Sequence, residues 1–249
     1  NLEPFRYVRG FGTNGEGPGE YNSTPHVFVC DDHLFVNTMG KFMVFSKKGE
    51  FIEQKKLPFR YFYFYFPLMP VEDNYFGLPL IRVEEKNTSI HRGVVYNEDL
   101  KPVKDIYEGS SPRLLPPPPP GSKVVKVDLE VIPDYFDATV YRDKIFIADT
   151  RKGFYFNVFD SQGNFLYEID KKYTEVKVPD EFIKNHKKGL QESDDWERLK
   201  QQFNYKYRET YPAFFSFKID HDRIYVTTYK KENSCYELVV LDLKGEELG

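Results

Sequence analysis

Cysteine is nearly absent from this sequence. The 249 residues include two, Cys30 and Cys235, too few for a disulfide framework, and neither sits in a CxxC pair able to hold zinc. The sequence predicts two buried thiols acting as small apolar side chains. An excess of positive charge is also missing. Thirty-five Lys and Arg stand against 39 Asp and Glu, a formal charge of −4, which argues against a protein that grips nucleic acid by neutralising phosphates. No apolar run approaches the roughly 20 residues needed to span a bilayer as a helix. The first residues lack the charged-then-apolar order of a secretory signal. The five histidines, His26, His33, His91, His186 and His221, show no ligand spacing such as HExxH, and scattered loop histidines of this kind are expected to be solvated. Gly10–Gly15 satisfies GxGxxG in letters only. Pro18 and Gly19 intervene, a strand follows where a helix is required, and the phosphate-binding geometry is therefore lacking.

Aromatic residues, by contrast, are abundant: 23 Phe and 19 Tyr bring the aromatic share to 17%. That is incompatible with a disordered polymer and enough for a large core. At this length one all-β domain or two smaller domains both fit. The run Phe59–Phe66 is aromatic at every position except Arg60. As a strand it would be apolar on both faces, which calls for cover on both sides, as between propeller blades; the alternative is a stacking platform for a flat ligand such as a sugar.

The chain also repeats itself. Val27–Asn37 followed by Phe42–Ile52 reads as strand, tight turn, strand, loop, strand, turn, strand, and the phrase returns as Ala138–Asp149 with Tyr155–Leu166 and as Phe217–Thr228 with Tyr236–Leu248. A weaker copy begins at Asn74 and continues through Gly93–Leu100. With Leu34, Tyr75, Ile145 and Ile224 as equivalent points, the separations are 41, 70 and 79 residues. The first is the length of a four-stranded propeller blade, about 40–50 residues; the other two carry insertions. One insertion, 110–122, surrounds the polyproline stretch Pro116–Pro120 and must be extended and semi-rigid. Within it Arg113–Pro119 fits an RxLPPxP pattern of the kind read by polyproline-binding domains. The other, 179–203, is helical: Pro179 suits a first-turn position, Asp180 and Glu181 follow, and Ser193 offers a second start after Gly189. Phe182, Ile183, Leu190, Trp196, Leu199 and Phe203 supply an apolar face to dock it.

Two passages, the glycine-rich Gly12–Tyr21 and the phrase Ile145–Asp149 with Val158–Leu166, resemble the six-bladed β-propellers of the NHL-repeat type, many of them secreted or lipid-anchored bacterial proteins. The resemblance implies an all-β propeller of four-stranded antiparallel blades, about four of them visible here, in one domain over 1–249. It also implies an extracytoplasmic setting. Phe5–Gly10 reads as an outer strand without its inner partners and Leu248 as the start of another, so the domain is expected to be incomplete at both ends.

Loop lengths sort by face in such a fold. Short turns at Asp31–Asp32, Lys47–Gly49, Arg142–Asp143, Ser161–Gly163 and His221–Asp222 share one face. Gly12–Pro25, the two insertions and the loops around 86–92, 150–153 and 229–234 share the other. Binding loops tend to be the long ones on a rigid scaffold, which makes His91, Arg92, Arg151, Lys152, Tyr229 and Lys230 the candidate partner-binding residues. No catalytic constellation and no resident cofactor are evident. Asp137, Asp149 and Asp220 fit ordinary turn chemistry, or else the lining of a central channel that takes calcium. Three functions remain open. The first is a non-enzymatic binding or scaffold propeller for a protein or glycan partner. The second is a divalent-metal-dependent hydrolase or lyase, and the third a subunit that self-associates through open sheet edges.

Overall fold

The computed structural model describes residues 10–21, 23–30, 32–38, 40–57, 68–83, 88–111 and 126–248. The aromatic run 59–66, the polyproline stretch and most of the segment 5–10 lie outside the described residues.

After a short parallel pair, β1 (Thr13–Asn14) and β2 (Glu20–Tyr21), the chain forms a meander of β3 (His26–Cys30), β4 (His33–Thr38), β5 (Lys41–Ser46) and β6 (Phe51–Lys56). A second sheet follows from β7 (Met69–Val71), β8 (Asn74–Gly77), β9 (Leu80–Val83), β10 (Thr88–Tyr96) and β11 (Pro102–Ser111), in the order β11-β10-β8-β7 with β9 also on β10. Beyond β12 (Val127–Glu130) comes a third meander, β13 (Phe136–Tyr141), β14 (Lys144–Asp149), β15 (Phe154–Asp160) and β16 (Phe165–Lys171). Helices α1 (Asp180–Gln191) and α2 (Trp196–Gln202) lead into β17 (Phe203–Lys206), which pairs in parallel with β12. The last sheet is β18 (Ser216–Asp220), β19 (Arg223–Glu232) and β20 (Cys235–Asp242). One isolated antiparallel bridge, Leu241 to Glu247, lies outside the strand pairings.

The repeat has a structural meaning in the register. Leu34, Tyr75, Ile145 and Ile224 each sit on the second strand of a sheet and face Val29, Pro70, Val140 and Ile219. Each partner is the next-to-last residue of the strand before it, so the four positions are equivalent one hairpin at a time. Tight turns set that register: Glu72, Arg142, His221 and Asp222 all have φ between 47° and 58°, the left-handed geometry whose twist matches a two-residue hairpin. The turn glycines of the phrase do a different job. Gly245 (φ 91°) would place a Cβ 2.5 Å from Ile169 Cγ2, and Gly163 (φ 74°) one 2.5 Å from Ile106 Cγ2. Both the backbone angle and the close approach require glycine.

The chain divides into two compact units, one of residues 1–80, 92–107 and 161–163 and the other of 81–91, 108–160 and 164–249. In the first unit Phe35, Phe42 and Val44 pack with Leu68, Val94 and Tyr96. The second is built around Phe156 and Phe214, stacked at 5.3 Å and 3°, with Phe146, Phe217, Val226 and Leu241 around them. Burying each such Phe is worth about 1.5–3 kcal/mol, and alternation along β15 puts Phe154, Phe156 and Val158 on this side together.

Two expectations need correction. Cys235 is exposed and Cys30 only half-buried, because both lie on strands at the edge of their sheets. His91 is buried, with its ring stacked 5.8 Å from that of Phe136. Within 179–203 the helices are α1, to Gln191, and α2, from Trp196, and neither has a buried residue. Phe182 is 38% exposed, its ring 6.3 Å from that of Tyr211.

Candidate functional site

In the second unit the two ends of the sheets differ in chemistry. The hairpins at Arg142–Asp143 and His221–Asp222 meet through an exposed pair, Arg142 Nη2 to Asp222 Oδ2 at 2.7 Å, and Tyr141 Oη accepts the Asp222 N–H. The opposite end is made by the β14–β15 turn, the segment after β16, the β19–β20 hairpin with its two-residue turn Asn233–Ser234, and the chain after α2, and there side-chain networks accompany the turns.

The β14–β15 turn is a single 3-10 turn, Thr150–Lys152. Asp149, 1% exposed, caps it by accepting the Arg151 N–H at 3.1 Å. The same carboxylate receives the Arg151 guanidinium, Nε at 2.9 Å and Nη2 at 2.5 Å, a forked geometry that fixes both groups. Lys152 lies over the Tyr155 ring at 4.4 Å. The Tyr155 hydroxyl donates to Glu168, and burial together with that carboxylate pushes it up to about 12. Asp137 is held above the ordinary carboxylate range by burial, against the opposing hydrogen bonds from Tyr135 Oη at 2.6 Å and the Ala138 N–H. Asp220, by contrast, is exposed beside His221. Among the described residues no group of three or more His, Cys, Asp or Glu side chains is arranged to hold a metal ion.

At the other hairpin, Glu237 on β20 organises a network. Its Oε1 accepts from Lys230 Nζ at 2.8 Å, and its Oε2 accepts from Thr228 Oγ1 at 2.9 Å and Tyr173 Oη at 3.0 Å. The Lys230 ammonium, with the two hydroxyls, holds Glu237 below the usual carboxylate range, while burial raises Tyr173. The network borders a cleft of about 330 Å³ whose apolar lining comes from Phe154, Tyr173 and Val239. A bulge in β19 between Thr227 and Lys231 turns this part of the strand out of the regular ladder, as bulges beside binding sites do.

Next to the cleft runs a belt of rings. Tyr211 stacks on Tyr229 at 4.3 Å and 11°; Phe215 meets Tyr229 and Tyr236, each at 4.9 Å; Phe182 of α1 meets Tyr211 at 6.3 Å. His186 bridges onward to Tyr205 and Tyr207. Belt and cleft adjoin, since the Tyr211 N–H donates to the Val176 carbonyl, a cleft residue.

The six sequence candidates therefore separate. Tyr229 and Lys230 fall in the belt and the cleft. Arg151 and Lys152 are engaged with Asp149 and Tyr155 on the neighbouring turn, and His91 is core. Arg92 belongs to the first unit, 3.2 Å from Asp105. Tyr173, Tyr211, Phe215 and Glu237 were not among the candidates. The alternating aromatics at 203, 205 and 207, with Tyr211 beyond them, were the one sequence feature pointing there.

Residues 5–111 match the model of a family described as a 6-bladed beta-propeller. Among solved structures the chain is similar to one titled as a crystal structure of the eukaryotic initiation factor, at 8% identity and a TM-score of 0.34, over 88% of this chain and 40% of that one. It is also similar to the Neurospora crassa Pan2 WD40 domain, at 11% identity and a TM-score of 0.23, over 91% of this chain and 64% of that one. The chain thus spans less than two thirds of either. No curated protein matches it. The four-stranded antiparallel blades and the family match give the fold class: a β-propeller.

Proposed function

We propose that this chain is a non-catalytic binding propeller of the NHL-repeat kind, working outside the cytoplasm, which presents the loop end of its second unit to a protein or glycan partner. The observation that supports the reading is the belt Tyr211–Tyr229–Phe215–Tyr236 beside the cleft. Tyr236 is 46% exposed, Tyr229 and Tyr236 stand on β19 and β20, and large amphipathic rings are the side chains that contribute most at binding surfaces. Strong ionic partners already occupy Asp149 and Glu237, which suits a pre-organised surface. The extracytoplasmic setting follows from the resemblance carried by Gly12–Tyr21 and Val158–Leu166.

The test is a pair of variants in a capture experiment against extracts and immobilised glycans. The double variant Tyr211→Ala/Tyr229→Ala should lose captured material that the unmodified chain retains, while Arg142→Ala at the opposite end should keep it. Equal capture by all three proteins would remove the belt from consideration.

A further inference from the structure

The cleft beside Glu237 has features that narrow its ligand, given a binding role for this end of the second unit. Its charges balance. Lys230 is paired with Glu237, and Lys171 Nζ lies 3.5 Å from Glu247; Lys172 and Glu175 add one charge of each sign to the lining. With three cationic and three anionic side chains the rim carries no net charge to select an anion or a cation.

Hydrogen-bonding capacity is nonetheless left over. An ammonium has three N–H donors and a carboxylate about four lone-pair sites. Lys230 Nζ donates to Glu237 and Glu237 accepts from three groups, so two donors on the exposed Lys230 ammonium and one acceptor on Glu237 remain, on groups 2.8 Å apart. Together with the apolar lining of Phe154, Tyr173 and Val239, this matches a ligand with an apolar ring face and hydroxyls at its edge, each hydroxyl able to donate and accept. The volume, about 330 Å³, lies at the small end of ligand pockets, which run from about 300 to 1,000 Å³.

We propose that this cleft binds a neutral pyranose, the Tyr173 side chain meeting the ring and the Lys230–Glu237 pair bonding its hydroxyls. The proposal rests on the binding function proposed for the belt. Nothing in it requires a bond to be made or broken; the cleft is a recognition subsite next to the belt.

The experiment is a ligand-observed NMR titration of the intact chain with the methyl pyranosides of glucose, galactose and mannose, alongside glucuronate and glucosamine as charged counterparts. At least one neutral pyranoside should bind at concentrations up to about 10 mM and outcompete both charged analogues. Glu237→Gln and the exposed Lys230→Met should each weaken it by about tenfold or more, with the fold checked by circular dichroism. Arg142→Ala should bind as the unmodified chain does. Absence of binding by every neutral pyranoside, preference for a charged analogue, or binding untouched by both cleft variants would each overturn the assignment. If the pyranosides fail while belt-dependent capture persists, only the sugar assignment falls. If both fail, the binding reading falls with it.

Discussion

The two ends of the second unit use the same strands for different purposes. At the Arg142–Asp222 end, turn residues take up left-handed geometry so that adjacent strands can pair at once, and the side chains left over form a surface ion pair. The Asp149–Glu237 end also has one such turn, Asn233–Ser234, but beside it stand a capped 3-10 turn, a carboxylate network and a belt of rings that engage the segments after β16 and α2. The lesson is one of division of labour: tight hairpins at both ends specify the scaffold locally, and the Asp149–Glu237 end adds the buried Asp149 carboxylate, the Glu237 network and stacked rings around them.

Substitutions can break that contrast, and the largest effect should fall on neither end. Phe214→Ala removes the ring stacked on Phe156 and should cost about 3–5 kcal/mol in urea unfolding, destabilising both ends together. Asp149→Ala should come next, at about 1–3 kcal/mol, since it removes a cap and leaves the Arg151 fork without its carboxylate. That loss should appear as faster amide exchange in 150–153 with the 142–143 hairpin unchanged. Exchange spreading equally to both hairpins would show that the ends are not independent.

Acidity offers a smaller and more selective probe. The pKa of Glu237 is lowered in the folded chain, chiefly by Lys230, so its stabilisation is present above the ordinary Glu range and lost as pH falls through the depressed value. Asp137 has the opposite sign. Burial raises its pKa, so its contribution is full below the ordinary Asp value and lost as pH rises through the raised one. Stability measured against pH should therefore show a flatter acid limb in Glu237→Gln and a flatter rise-side loss in Asp137→Asn. Identical profiles for wild type and both variants would contradict the two assignments. The smallest effect belongs to Arg142→Ala. An exposed ion pair is worth about 0–1 kcal/mol, and its thermal midpoint should barely move.

The same contrast explains which features were legible in the sequence. Leu34, Tyr75, Ile145 and Ile224 were recognisable as equivalents because alternation and two-residue turns are properties of neighbouring residues. The elaborated end was legible only as a set of long loops. Glu237 on β20 and Tyr173, just after β16, are 64 residues apart in sequence and meet in space, a pairing that no local pattern announces. Tyr211 reaches Tyr229 because the helical insertion returns the chain through 203–211, and the insertion breaks the repeat that would have flagged it. Burial misled in the same way. His91 sits in a loop-like stretch of sequence yet packs on Phe136, whereas Cys235 reads as a strand residue and is exposed at a sheet edge.

The most direct measurement is a paired photo-crosslinking experiment, with the reactive side chain placed at position 231, where Lys231 Nζ lies 4.2 Å from the centre of the Tyr236 ring of the belt, or at position 142 in the opposite hairpin. If the loop end is the binding end, crosslinked partner should accumulate at 231 and be nearly absent at 142, and Tyr211→Ala/Tyr229→Ala should abolish the signal at 231. Equal crosslinking at both positions, or a preference for 142, would contradict the account.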